Sequence, residues 1–528
     1  MQDHHDIRFL SRTLSLDGPR PRGRDTRDAP ESAGTYLAGC ASRRGEIGLD
    51  REYIETVPDV PGRAGSVWLG AEAVEYPPLD GEGTADILIV GCGVTGALVA
   101  RKLAGQGRAV TMLERRRIAA GTTGHSTAKV TALHGDSWQA LLAKNPRAEV
   151  RTWAEANLAA VEELSAIALD LGTTCRLRRM PAYLVAGDDE ASATFAEELE
   201  ALVSAGLPAK SVAAPHPFGR SAAILQGQAL VDPAAFVLAL LASLGAQVEV
   251  HERTAVRSLE RDGDMWRAHC DGASVAAPIV IMADHFPVLD TGAFFTRLFP
   301  YAHHALEFMP HKPLPDGMWM QVGGEALTLR PTLDADGTWI AGGERVRVGS
   351  ETDERAAYAR LADSVARVVG SVEIVRHWSA HDYETPDGLP FIGEAPFGRN
   401  LFMAAGFAGW GMTKSVVAAS VIADALAGRS GPLAEIVSPT RAPGLTSVLP
   451  LAAENTAVAR EFMEGHLTSR HAKAHEDSVA GRSCMHLGCE TKWNTAEGTV
   501  DCPCHGSRYR RHGEVIYGPA SRDIESEP

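Results

Sequence analysis

Between Ile87 and Glu114 the chain spells a buried strand, a glycine turn, a helix and a second strand, and few folds can contain that order. Ile87-Leu-Ile-Val90 is a continuous apolar run of the kind that suits a parallel strand covered on both faces. It passes directly into Gly91-Cys-Gly-Val-Thr-Gly96 and then into a helix carrying Ala97, Ala100, Leu103 and Ala104. The second strand, Ala109-Val-Thr-Met-Leu113, ends at Glu114. Each part has a physical task. Gly91 permits the tight turn, Gly93 lets backbone approach a pyrophosphate, and Gly96 lets the helix lie close to the strand. The helix N-terminus offers free N–H groups and positive dipole to the phosphates. Glu114, 23 residues after Gly91, stands where an acid accepts hydrogen bonds from an adenosine ribose. Arg115-Arg116-Arg117 would suit a ribose 2′-phosphate, but Glu114 would repel that group, so the run reads as a charged turn. The spacing does not by itself tell a flavin from a nicotinamide dinucleotide.

At 528 residues the chain exceeds one compact core, so two or three folding units are expected. Residues 1–65, rich in Gly, Arg, Asp and Pro without a sustained period, read as a poorly ordered extension. A net charge of −16 favours solubility and argues against a nucleic-acid partner. The longest apolar run, Ser415 to Leu426, is short for a membrane span and contains Asp424. No basic segment followed by an apolar one opens the chain, so a cytoplasmic location is the default expectation. Pro146 to Gly172 predicts a helix, with Val150, Trp153, Val161, Leu164 and Leu171 at three- and four-residue steps and Gly172 at the C-cap. Trp153 on that stripe reads as core. Strand-like alternation mixed with helices continues to about residue 385. A helical run follows the glycines at 406–411 and ends near Gly428. Four prolines in 429–450 suggest a linker, and Ala452 to His466 an amphipathic helix.

The eight cysteines are unevenly placed. Cys40, Cys92, Cys175 and Cys270 stand singly, whereas the other four fall within 21 residues in two boxes, Cys484-Met-His-Leu-Gly-Cys489 and Cys502-Pro-Cys-His-Gly-Ser507. A Rieske 2Fe–2S cluster needs two thiolates on one iron and two imidazoles on the other. Cys484 and Cys502 supply the first pair, His486 and His505 the second. A structural zinc site with two Cys and two His is the competing reading, but the spacing departs from common zinc fingers.

Further segments carry a family resemblance. Gly121-Thr-Thr-Gly-His-Ser-Thr-Ala-Lys-Val130 resembles the second flavin-contacting segment of the D-amino-acid oxidase/glycine oxidase superfamily, in particular its bacterial branch with a C-terminal Rieske domain. Val231-Asp-Pro233 is similar to the family's entry into the substrate domain, and Met282-Ala-Asp-His-Phe-Pro287 to its return, with Asp284 where relatives usually have Thr. Thr385-Pro-Asp-Gly-Leu-Pro-Phe-Ile-Gly393 and Gly406-Phe-Ala-Gly-Trp-Gly-Met-Thr413 resemble the closing flavin motifs. The resemblance spans roughly residues 66–440. It implies a two-domain α/β (α+β) flavoprotein. A Rossmann-like FAD-binding domain occupies about 80–145, 235–290 and 380–430, an inserted antiparallel-sheet substrate domain about 146–234 and 291–379. A linker and helix at 441–467 then lead to a small all-β Rieske unit at 468–528.

The resemblance also implies roles. FAD would be met by Val94, Thr95, Arg115, Thr122, Thr123, His125, Ser126, Val256, Gly393, Gly409 and Trp410 besides the glycine turn and Glu114. Gly411, Met412 and Thr413 would open a helix whose N–H groups face the pyrimidine edge of the isoalloxazine, raising its electron affinity. His125 has two readings: a covalent histidyl–FAD link, as in dimethylglycine and sarcosine dehydrogenases, or a polar group near the pyrophosphate. Arg330 is either a fork for a substrate carboxylate or a surface ion pair on a strand end. By similarity to the Rieske proteins of cytochrome bc complexes, Cys489 and Cys504 would form a disulfide, and Ser507 and Tyr509 would donate to cluster sulfur and a ligand thiolate.

Only Thr468 to Ser483 separates Leu467 from the first box, less chain than relatives use for the strands of the Rieske base. The shortened unit therefore either docks on the flavin domain or holds its cluster weakly. Ring-hydroxylating oxygenases need a mononuclear-iron domain, of which the sequence carries no sign. The leading expectation is oxidation of an amine or amino acid by hydride transfer to FAD, with electrons leaving through the Rieske cluster to an acceptor the sequence does not name. The alternatives are an FAD oxidase using O2 beside a vestigial cluster segment, and a redox carrier or sensor without a small-molecule substrate.

Overall fold

The computed structural model describes residues 60–70, 75–187, 190–323, 326–350, 353–468 and 483–524. Most of the expected poorly ordered extension lies outside them. Its last residues depart from the expectation, because Arg63–Ala64 forms a short strand parallel to Arg376 and His377.

The opening motif folds for the reasons its residues supply. Strand Leu88–Val90 is fully buried, and the chain turns at Gly91 with φ +101°. A Cβ at Gly91 would stand 2.6 Å from the Ala283 carbonyl oxygen, and one at Gly96 would stand 2.1 Å from the Gly91 carbonyl oxygen. Only glycine at both places lets helix Val94–Gly105 start against the strand, burying Ala97, Leu98, Ala100 and Leu103. Strand Val110–Leu113 pairs beside the first. The finished sheet has six strands in the order Phe391–Glu394, Leu401–Ala405, Val280–Met282, Leu88–Val90, Val110–Leu113 and Val248–His251. All are parallel except the first, which runs antiparallel to its neighbour. Helix Gly411–Leu426, buried along most of its length, packs against helix Val94–Gly105.

A second sheet has ten strands, with Phe299–Pro310 as its spine between the antiparallel partners Trp339–Arg347 and Val372–Glu384. The predicted helix appears as Arg147–Asp170 and buries Val150, Trp153, Val161 and Leu164, so Trp153 is core. Asp232 caps helix Pro233–Ser243, its carboxylate accepting from the Ala235 N–H at 3.0 Å, with proline at the first helical position. The expected linker is more ordered than its prolines suggest. It contains helix Pro432–Ile436, and the helix expected from Ala452 begins at Leu445 and runs through Pro450 to Thr468. Among the described residues no helix is long and apolar enough to cross a membrane.

The C-terminal unit is a four-stranded antiparallel meander, Lys492–Asn494, Thr499–Asp501, Arg508–Arg510 and Val515–Tyr517. Its own core is small, built on Val500, Tyr509, Val515 and the four cysteines. It docks. Arg508 is buried, with Nε and Nη2 on the Asp501 carboxylate at 2.9 and 2.8 Å and Nη1 on Ser379 Oγ at 3.2 Å. Glu354, wholly buried at the start of helix Arg355–Val369, lies 3.7 Å from Arg508 Nη2 and 3.0 Å from His304 Nε2. Tyr358 donates to Glu497 at 2.6 Å. The cluster loop comes so close that a Cβ on Gly506 would stand 2.2 Å from Pro300 Cβ, while His381 Nε2 lies 2.9 Å from the Gly506 carbonyl oxygen.

Removing one partner from a buried charge network leaves the others uncompensated, so Arg508→Leu is expected to cost about 3–5 kcal/mol. Urea unfolding followed by near-UV dichroism measures this; a loss below about 1 kcal/mol would mean that these charges do not hold the unit in place.

Candidate functional site

A cavity of about 890 Å³ opens where the parallel strands end. It is lined by Gly91, Gly93, Val94 and Thr95 of the glycine turn, by Glu114 and Arg115 after the second strand, and by Ala283 and Asp284 after Val280–Met282. Thr122, Thr123, His125, Ser126, Val256, Gly409, Trp410, Gly411 and Met412 complete that side. The carboxylate of Glu114 is fixed by the N–H groups of Cys92 at 2.9 Å and Arg116 at 3.0 Å. Thr123 Oγ1 accepts from the Val94 N–H at 3.1 Å. His125 Nδ1 lies 2.9 Å from the Gly121 carbonyl oxygen, and burial lowers its pKa to about 4, leaving a neutral ring. At Gly409, φ +74°, a Cβ would meet nothing within 4 Å, so the backbone there lies bare to the cavity. A turn that only glycine can make, a fixed acid beyond the next strand and a helix N-terminus at Gly411 thus share one hollow, which fits an extended dinucleotide.

Four of the expected residues do not line this cavity. Gly96 serves helix packing alone. Gly393 faces the Pro439 ring, 3.3 Å from where its Cβ would be. The Thr413 hydroxyl turns back onto the carbonyl oxygens of Thr131 and Trp410 at 3.3 and 3.2 Å. Arg330 is no surface ion pair either: it is wholly buried, its guanidinium lies 4.9 Å from the Trp68 ring centroid, and none of its nitrogens has a hydrogen-bond partner among the described residues. Burial lowers its pKa to about 9.

Other polar residues face the cavity without having been singled out. Thr328, two residues before Arg330 on the same strand face, is one; it accepts from Lys129 Nζ at 2.9 Å, as does Thr127 at 3.1 Å. Burial, and next the charge of Arg330, hold the Lys129 ammonium well below its usual range. Lys414 is brought to about 8 by burial, and the Asp284 carboxyl is pushed up to about 7 by the same cause. His134 stacks on Trp410 at 5.4 Å. A signal for Lys129 was present: it is the one charge in the apolar stretch Ala128–Val130, which forms a buried strand start.

In the C-terminal unit Cys489 and Cys504 are joined as a disulfide, whereas Cys484 and Cys502 are free and buried. The Tyr509 hydroxyl is 3.2 Å from Cys484 Sγ. A hydrogen bond from Cys502, then those from Tyr509 and Ser507 against burial, bring the Cys484 thiol to about 6. The rings of His486 and His505 stand 5.0 Å apart, and both Nδ1 atoms are buried without a partner among the described residues. Burial keeps both rings neutral, His505 at about 3. Two thiols and two orphaned neutral imidazole nitrogens fit a two-sulfur, two-nitrogen cluster. Phe295, from the flavin side, sets its ring edge-on to both histidines at 5.7 and 5.2 Å.

Fold and donor sets together define a dinucleotide-dependent oxidoreductase with an appended iron–sulfur unit. Residues 86–425 match the model of the FAD dependent oxidoreductase family, and 451–528 that of the Rieske [2Fe-2S] domain, which therefore takes in much of the helix Leu445–Thr468. The chain belongs to the FAD dependent oxidoreductase family; it is an enzyme whose cofactors are FAD and a 2Fe–2S cluster. It is 28% identical over 484 residues to the Rieske 2Fe-2S iron-sulfur protein YhfW of Bacillus subtilis (strain 168), covering 85% of this chain and 94% of that one. The cytochrome b6-f complex iron-sulfur subunit of Synechococcus sp. (strain JA-3-3Ab) is 55% identical over 42 residues, 8% of this chain and 24% of that subunit. Among solved structures, glycine oxidase from Geobacillus kaustophilus shares the fold with TM-score 0.58 at 19% identity, covering 69% of this chain and 100% of that one. L-amino acid deaminase from Proteus vulgaris does so with TM-score 0.57 at 16% identity, covering 70% and 100%.

A hydroxyl donating to a ligand sulfur stabilises the more negative, reduced state. Tyr509→Phe is therefore expected to lower the cluster's midpoint potential by about 50 mV, the equivalent of one such hydrogen bond in a one-electron couple. Voltammetry reads the shift, and an unchanged potential would take Tyr509 out of the cluster's hydrogen bonding.

Proposed function

We propose that the protein oxidises an amine or amino acid at the carbon beside nitrogen and passes the electrons on through its Rieske cluster. The observation that carries this reading is a shared wall: Ile516, Tyr517 and Gly518, at and just past the last strand of the Rieske meander, line the same cavity as the glycine turn. In that cavity FAD supplies a two-electron acceptor, and the cluster beside it a one-electron relay. Carbon–nitrogen chemistry is supported by the glycine oxidase and L-amino acid deaminase that share the fold.

The chain's own residues then divide the work. The glycine turn and the N-terminus of helix Val94–Gly105 would hold the pyrophosphate, and Glu114 the ribose. Gly411 and Met412 would offer helix N–H groups to the flavin. Cys484 and Cys502, with His486 and His505 through Nδ1, would hold the cluster. The sheet wall of the cavity mixes small and apolar residues, Ala305, Met320 and Gly342, with polar ones, Lys129, Thr328 and Gln321.

Hydride leaves a carbon beside nitrogen only when the nitrogen carries its lone pair, so an ammonium substrate must first lose a proton. Lys129 Nζ is placed to take it: it lines the cavity, and burial and the Arg330 charge favour its neutral form. Arg330 thereby acts through Lys129 as a positioning residue, without touching the substrate. The other guanidinium on the sheet side, Arg345, is held by both Glu384 oxygens at 2.5 Å.

Two experiments test this reading. With FAD kept saturating, His505→Ala is expected to abolish the rhombic cluster signal and turnover with one-electron acceptors, while substrate still bleaches the flavin under nitrogen. Full turnover on O2 with an idle cluster would instead make the protein an oxidase, and an amine screen in which nothing bleaches the flavin would favour a carrier. In the second, kcat/KM rises as pH climbs through the depressed Lys129 pKa, because the base works when neutral. Arg330→Met removes a neighbouring positive charge, raises that pKa and moves the rising limb to higher pH, whereas Arg330→Lys leaves it in place. A limb that stays put in Arg330→Met, or survives in Lys129→Met, would rule out the assignment.

A further inference from the structure

The geometry points to the Rieske tail as a structural part of the FAD site, so that filling one cofactor site strengthens the other. This inference rests on the reading that the cavity at the strand ends holds FAD, and concerns which residues close it. Near Glu114 the cavity is lined by two loops of the flavin domain, the turn after strand Val110–Leu113, with Glu114, Arg115 and Arg116, and the segment around Val256. Both are gripped by the C-terminal unit. Arg115 Nη1 donates to the Val515 carbonyl oxygen at 3.5 Å, and the Arg116 guanidinium lies 5.6 Å from the centroid of the Tyr517 ring. Arg257, next to Val256, is bidentate to Asp523 at 3.2 and 3.0 Å and donates to the Ser521 carbonyl oxygen at 3.0 Å.

Tyr517 is the piece that reaches inside. Its ring stacks on His381 at 4.9 Å and 13° and, with Ile516 and Gly518, forms cavity wall. Tyr383 donates to the Gly518 carbonyl oxygen, pinning the end of the hairpin to the sheet strand Val372–Glu384. This hairpin is also part of the cluster unit, since Tyr509, on the strand paired with Val515–Tyr517, carries the hydroxyl beside Cys484 Sγ. A loaded cluster fixes the two boxes, the boxes fix the meander, and the meander fixes Tyr517. Linkage makes the effect mutual: whatever the cluster adds to FAD affinity, FAD adds to cluster retention.

The test uses the full chain, stripped of flavin and titrated with FAD under nitrogen by quenching of flavin fluorescence, with cluster content read by EPR. Loss of one buried aromatic contact corresponds to about a ten-fold weaker Kd. Tyr517→Ala is expected to weaken FAD binding by that factor with the EPR signal intact, and Tyr517→Phe to restore it. Cluster-free Cys502→Ser is expected to weaken FAD binding at least as much, and flavin-stripped wild type to lose its cluster to a chelator faster than the FAD-loaded form. Equal FAD affinity in wild type, Tyr517→Ala and Cys502→Ser would overturn the inference while leaving the flavin assignment standing. Wild type that binds no FAD would remove the flavin assignment and this inference together.

Discussion

Arg508 is the residue on which the arrangement turns. Burying a guanidinium is costly unless its donors are met, and here Asp501 from its own meander and Ser379 from the large sheet accept from it while Glu354 at a helix start lies 3.7 Å away as a counter-charge. Three segments distant in sequence are thereby held in one register. A unit of this size buries too little apolar surface to stand on its own, and its core of a few aliphatic side chains and four cysteines bears that out. The missing base is supplied by the surface of another domain, and the charge network fixes which face meets which.

What the sequence disclosed and what it withheld follow the range of the interactions. The strand–turn–helix of residues 87–114 was legible because Gly91 and Gly96 answer to contacts made within a few residues or with the adjoining strand. The two Cys/His boxes were legible because ligand spacing is a local property. Docking of the short C-terminal unit stood as one of two alternatives, since Arg508 and Glu354 lie far apart in the chain and nothing nearby marks either as a partner. The helix Leu445–Thr468 hid behind Pro450, which local rules read as a breaker. Gly393 and Thr413 sit inside segments that do form the site, yet their own contacts point to Pro439 and Thr131. Arg330 was read from its neighbours in sequence, whereas its setting is made by Trp68, outside that motif.

The cavity has a common electrostatic character. Lys129 and His134 are held well below their usual ranges, Lys414 comes to about 8, and Asp284 rises to about 7, with burial the first cause each time. Groups that would carry full charge in water are thus shifted toward neutrality around one hollow. Such surroundings penalise a fixed ion, and perturbed groups gathered in one cavity are what a site for proton transfer requires.

Gly506 sets the tolerance of the seam between the two domains. Its missing side chain is the gap through which the cluster loop seats against Pro300 and His381, so a methyl group there would collide with a neighbouring domain. With φ +79° the same position also disfavours any side chain by its backbone alone, so two independent demands, one local and one from across the seam, converge on a single hydrogen atom.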